Sequence, residues 1–213
     1  MIGLSLLLGI GSAAFRCYVK KVPWRYIVYL AILVMALVIY LSFSVTIIST
    51  RGKSYGLNGT GGAMGLILGV IIMSFITPKY RKIYADSFFM ALPLMYGIGK
   101  IGCAYAGCCA GIPYNGIFKV TGIDGKEVFP IQILEVIVFI ALFILSVIID
   151  RRGKFDSPIA ASAYALVKIV LDFGRDTHVE HLITRNQVMC AVIVFLFIIY
   201  EFVQTRVDRK RIL

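Results

Sequence analysis

Apolar residues in this chain are bunched into runs. They lie at roughly 1–17, 26–48, 60–77, 84–104, 129–149, 157–174 and 186–204, and polar residues gather in the gaps between them. A helix needs about 20 mostly apolar residues to cross a hydrocarbon core of about 30 Å. The pattern therefore predicts an all-α integral membrane protein with about seven transmembrane helices. No linker, low-complexity tract or clear internal repeat interrupts it, so residues 1–213 are expected to form a single transmembrane domain. Composition agrees: 60% of the 213 residues are hydrophobic and 15% charged, against about 45–50% and 25% in soluble domains.

The formal net charge is +11, and its placement matters more than its size. Arg16, Lys20, Lys21 and Arg25 follow the first run, and Lys79, Arg81 and Lys82 follow the third. Arg151, Arg152 and Lys154 follow the fifth, and Arg206, Arg209, Lys210 and Arg211 follow the seventh. Basic clusters at every second boundary fit one side of a membrane, and the positive-inside rule assigns that side to the cytoplasm. The N-terminus is then outside and the C-terminus cytoplasmic. A basic stripe for nucleic acid would not alternate with spans in this way. The opening stretch, MIGLSLLLGIGSAAF, has its positive charges after the apolar run rather than before it. That order argues for a retained span rather than a signal peptide.

This topology sends the segments near 49–59, 105–128 and 175–185 outward, and 105–128 is the longest of these loops. YGLNGTGG (55–62), GKIGCAYAGCCAG (99–111), FPIQILE (129–135) and KIVLDFGRDTHVEH (168–181) all reach that face. Charges inside spans are costly and usually paired. Glu135 lies inside the fifth span, Lys168 and Asp172 are spaced i, i+4 on the sixth, Arg175 follows them, and Lys100 is near the end of the fourth. Together they suit a site for an anionic lipid headgroup. Structural ion pairing, snorkelling of Lys100 and Arg175, and an interhelical hydrogen bond from Gln132 are the plainer alternatives. Gly61, Gly65 and Gly69 have the spacing of close helix packing. Gly59, Gly61 and Gly62 stand at a helix N-terminus that would also favour a phosphate.

Cys103, Cys108 and Cys109 admit three readings: small packing residues, a Cys103–Cys108 disulfide, or a catalytic thiol at Cys108 activated by nearby Lys100. Zinc is disfavoured, since no CxxC pair exists and a fourth ligand is lacking. His178 and His181 are expected in a solvated loop. No metal or cofactor is expected.

GKIGCAYAGCCAG, FPIQILE and KIVLDFGRD, in this order on these spans, resemble the prolipoprotein diacylglyceryl transferases. The resemblance extends from about residue 55 to 200 and includes GLNGTGG. Gly102 and Gly111 keep the family's central-loop glycines. Pro130, Gln132 and Glu135 keep the core of its next motif, and Arg175 keeps its last arginine. Lys100 and Lys168 stand where the family has arginines, and Asp172 where it has glutamate. Cys103 and Ala106 replace asparagines, Cys108 a glutamate, and Thr60 and Phe129 histidines.

The resemblance implies a plasma-membrane enzyme that moves a diacylglyceryl group from phosphatidylglycerol to the lipobox cysteine of a secreted prolipoprotein precursor. Glu135, Asp172, Lys168 and Cys108 would be catalytic. Lys100, Arg175, Gln132, Gly61, Gly62, Gly102 and Gly111 would hold the lipid and its phosphate. Two other classes remain open on the residues alone: a non-catalytic lipid- or precursor-binding protein of the same fold, and an outward-facing thiol redox protein.

Overall fold

Long stretches of Leu, Ile, Val and Phe without proline or charge favour helices that satisfy every backbone group internally, the requirement for crossing lipid. The computed structural model describes residues 1–53, 55–57, 59–122, 125–177, 182–184, 187–188, 190–192 and 194–195. It has helices α1 (Ile2–Val19), α2 (Trp24–Ser49), α3 (Gly59–Ile76), α4 (Arg81–Tyr105), α5 (Ile131–Arg151) and α6 (Ser157–Asp172). Six of the seven predicted runs thus correspond to helices. The seventh run and the C-terminal basic cluster fall largely or wholly outside the described residues, as do His178 and His181.

Four stretches among the described residues are long and apolar enough to span a bilayer: Ile2–Val19, Trp24–Ile48, Pro78–Tyr105 and Ile131–Arg151. Helices α1, α2 and α5 carry exposed apolar side chains along their length. On α2, Ile32, Tyr40 and Ile48 are all well exposed, a pattern suited to lipid. Among the described residues the protein is mostly helical, and in the predicted outward loop β1 (Val120–Thr121) pairs antiparallel with β2 (Glu127–Val128).

The chain divides into two compact units, one of Leu6–Leu92 and one of Met1–Ser5 with the residues from Pro93 onward. Pro93 lies inside α4, where its ring removes one amide donor from the helical ladder.

In the Leu6–Leu92 unit, α3 lies against α2 through its glycines. A Cβ on Gly61 would strike the backbone of Leu41, and one on Gly65 the backbone of Leu37. At Gly69 it would stand 2.8 Å from Val34 Cγ2. Packing thus accounts for this small-residue stripe, and Gly61 backs onto α2 backbone. Gly62 belongs to the same contact, with Ser42 Oγ 3.1 Å from its would-be Cβ. Arg16, expected as a boundary charge, is buried instead. Its Nη1 donates to Ser87 Oγ (3.1 Å) and Ile83 O (3.3 Å), and Nη2 is 3.8 Å from Asp86.

In the other unit the segment after α4 crosses back over the start of α5 and the end of α6. Ile112 N donates to Gly174 O (3.0 Å), Asp176 N to Ala110 O (3.1 Å) and Phe129 N to Ile112 O (3.0 Å). Gly111 sits at the crossing, where a Cβ would collide with Phe129 O and lie 3.2 Å from Gly174 O. A hydrogen side chain is what lets the three backbones meet.

Gly65→Leu should overpack the α2–α3 contact and destabilise the protein by about 1–3 kcal/mol. Gly59→Ala, where a Cβ meets nothing within 4 Å, should change stability by no more than about 0.5 kcal/mol. Thermal unfolding of the detergent-solubilised variants checks both.

Candidate active site

The ionisable residues of α4, α5 and α6 meet around one carboxylate. Glu135, one turn into α5, has no solvent exposure. Lys100 Nζ makes a direct ionic contact with its Oε2 at 2.7 Å. Lys168 Nζ lies 3.0 Å from Oε1, and Arg175 Nη2 lies 3.7 Å from Oε2. Tyr96 OH donates to Oε1 at 2.9 Å. Asp172 ends α6 and is equally buried. Its Oδ1 lies 3.0 Å from Lys168 Nζ and 3.3 Å from Arg175 Nη1, and its Oδ2 accepts from Thr184 Oγ1.

Helical geometry explains the convergence. Lys168 and Asp172, one turn apart on α6, share a face. Helix α6 ends before Arg175, whose amide donates to Asp172 O (3.1 Å), so its side chain turns back over the helix end. The i, i+4 pair on α4 is Tyr96 and Lys100. The Tyr96 ring packs against Phe139 with centroids 4.3 Å apart, and Lys100 and Lys168 lie 5.3 and 5.7 Å from its centroid. Tyr96 thereby braces both ammonium groups while its hydroxyl holds the acid.

Three cations and two carboxylates leave one positive charge in excess among these five groups. Arg175 Nε, buried, has no hydrogen-bond partner among the described residues. Burial disfavours the Arg175 charge. Glu135, Tyr96, Cys109 and Asp172 nevertheless outweigh that and raise its pKa above the ordinary value.

Gln132 lies one turn before Glu135 on α5 and donates from Nε2 to Cys108 O at 3.1 Å. That bond fastens the loop after α4 to α5. Gly111 sits at the backbone crossing beside Arg175, with which it forms an antiparallel bridge. Gly102 packs on the N-terminal residue, where a Cβ would stand 2.6 Å from Met1 Cβ. Gly61 and Gly62 belong to the Leu6–Leu92 unit and to its helix packing.

Cys103 and Cys108 are free thiols, as are Cys109, Cys17 and Cys190. Helix α4 ends in a Schellman turn. Cys108 N donates to Cys103 O (3.1 Å), Gly107 N donates to Ala104 O (3.3 Å), and Gly107 has φ +61°. Such a turn brings the side chains at its two ends together, and here both are cysteines. Cys103, Cys108 and Cys109 place their sulphurs within 4.8 Å of one another. The sequence offered the Cys103–Cys108 pairing as a disulfide; the turn brings the two together as free thiols with Cys109 beside them.

Residues 19–203 match the family model described as prolipoprotein diacylglyceryl transferase. The chain belongs to that family. No curated protein sequence matches it. The prolipoprotein diacylglyceryl transferases are membrane transferases that act on lipids and prolipoprotein precursors.

Sequence reasoning missed Tyr96 and Thr184. A lone hydroxyl-bearing aromatic four residues before Lys100 in an apolar span was the available signal for Tyr96. Thr184 had a different one, the T-x-x-Q pattern with Gln187. Thr184 N donates to Gln187 Oε1 (3.1 Å) and Gln187 N to Thr184 Oγ1 (3.2 Å), the reciprocal bonds of a capping box.

Glu135→Gln should leave the cations opposed by Asp172 alone and destabilise the protein by about 3–5 kcal/mol, the usual effect of breaking a buried pair. Lys119→Ala, which removes the exposed Lys119–Glu127 pair, should cost less than about 1 kcal/mol. Thermal unfolding of the two variants side by side measures the contrast.

Proposed function

We propose that the protein transfers the diacylglyceryl group of phosphatidylglycerol to the cysteine thiol of a lipobox in a secreted precursor, at the outer face of the plasma membrane. The reading carries with it seven spans with the N-terminus outside, which the alternating basic clusters support. One observation carries the reaction. A buried cluster with a single surplus positive charge, and an unpartnered N–H on its arginine, matches a monoanionic phosphodiester.

In this scheme the acceptor thiol loses its proton to solvent, and its sulphur forms a bond to the glycerol carbon as the carbon–oxygen bond to phosphate breaks. Glycerol phosphate departs with the electron pair. Negative charge grows on the departing phosphate, and Arg175, Lys100 and Lys168 stabilise it electrostatically where water is excluded. Glu135 and Asp172 orient the three cations. Lysine at positions 100 and 168 offers point charges, so the directed N–H for phosphate falls to Arg175 Nε.

The test uses cells lacking their own transferase, a lipobox reporter and a labelled fatty acid. Expression of this protein should give a lipidated reporter, and Arg175→Lys should slow labelling by about 100-fold. A wild-type protein present in the membrane that labels no lipobox reporter would overturn the proposal in favour of a non-catalytic lipid-binding role.

A further inference from the structure

Three thiols share one corner of the Pro93-onward unit, and the backbone that gathers them is specific. The Schellman turn sets Cys103 against Cys108, which also donates from Sγ to Cys103 O at 3.7 Å. Cys109 adopts φ +60°, a left-handed conformation that non-glycine residues rarely take and that tends to mark functional sites. Gln132, from α5, fixes the Cys108 carbonyl. The three sulphurs are thereby held within 4.8 Å of one another, all as free thiols. A tetrahedral zinc ion with Zn–S bonds of about 2.3 Å places its sulphurs about 3.8 Å apart. Small rotations about the cysteine side chains close that gap.

We propose that Cys103, Cys108 and Cys109 form a three-thiolate zinc site with an open fourth position. No fourth cysteine, histidine or carboxylate joins the group among the described residues, and three protein ligands with one position left over is the pattern of reactive rather than structural zinc. Cys103 and Cys108 line a cavity of about 810 Å³ bounded also by Gly99, Gly102, Tyr105 and Ala106, so a ligand can reach the metal. Three thiolates and a divalent cation carry one net negative charge. Lys100 lies one turn before Cys103 on α4, which places a cation on the same helix face as that net charge.

The ligand chemistry at the fourth position is an exogenous thiol, and this part rests on the transferase reading. A thiol that coordinates zinc loses its proton outright, here to solvent. The bound acceptor thiolate then forms the sulphur–carbon bond as the carbon–oxygen bond to phosphate breaks. Such activation would replace a protein base. Phe129 and Thr60 stand where the resemblance places histidines, so those positions supply no imidazole.

Cobalt substitution of the purified, reduced, detergent-solubilised protein tests the site without any activity measurement. The expected result is equimolar binding with thiolate-to-cobalt charge-transfer bands and visible bands of a tetrahedral centre. Zinc should bleach those bands. Cys103→Ser, Cys108→Ser and Cys109→Ser should each weaken or abolish them, while Cys17→Ser leaves them intact. A lipobox peptide should shift the visible bands, and its serine counterpart should not.

Absence of the charge-transfer bands in wild-type protein with free thiols, or their persistence in the Cys103→Ser, Cys108→Ser, Cys109→Ser triple variant of native helix content, overturns the site. So does a Cys103–Cys108 disulfide in protein isolated without reductant, or displacement by copper(I) but not zinc. A tetrahedral centre that ignores the peptide overturns the acceptor role alone. Bands that form normally in a protein that labels no reporter would refute the transferase reading while the metal site stands.

Discussion

A carboxylate with no exposure to solvent governs the organisation of the Pro93-onward unit. Glu135 is ionised only where cations match it, because an uncompensated charge taken out of water costs several kcal/mol. Lys100 from α4, Lys168 from α6 and Arg175 from the segment beyond α6 supply that match. Each arrives from a different part of the chain, so the ends of these elements must come together before the acid is satisfied. Asp172 then takes up part of the excess, and Tyr96 fixes both the acid and the two ammonium groups. Ion pairs of this kind are a weak source of net stability. Their consequence lies in specificity: once buried, the cluster tolerates few other arrangements of α4, α5 and α6.

Much of the helical layout was legible in the sequence because it depends on local composition. The apolar runs near 26–48 and 129–149 correspond to Trp24–Ser49 and Ile131–Arg151, displaced by only a few residues. The five ionisable groups were also visible individually, since Glu, Asp, Lys and Arg within apolar runs stand out against lipid. Their distances and shared surplus of charge depend on contacts between helices, which periodicity does not encode. Tyr96 escaped notice for the same reason: a tyrosine in an apolar span reads as packing until the carboxylate opposite it is located.

Other features ran against the linear reading. Arg16 resembled a boundary charge in every respect available to sequence, yet Ser87 and Ile83 on α4 enclose it. The thiols of GKIGCAYAGCCAG lack CxxC spacing and a fourth ligand along the chain, and their sulphurs nonetheless lie within 4.8 Å of one another. A helix-ending turn shortens that spacing in space and brings residues 103 and 108 face to face. Gly61, by contrast, could serve a ligand or a neighbouring helix on sequence grounds, and only the Leu41 backbone beneath it identifies the helix.

Arg175 lies beyond its helix, where a residue would ordinarily move freely. The crossing of residues 110–112 over 174–176 changes that, since backbone bonds on both sides of Arg175 hold it in an antiparallel bridge with Gly111. Its guanidinium is ordered in turn against Asp172 and Glu135, so the conformational entropy of immobilising this arginine has been lost on folding. An anion that meets its guanidinium need not supply the ordering cost of about 0.5–1.5 kcal/mol that a mobile side chain would impose. Gly111, which touches no ionisable group through a side chain of its own, thus contributes to affinity through preorganisation. Any larger residue there would loosen the arginine before it disturbed a single charge.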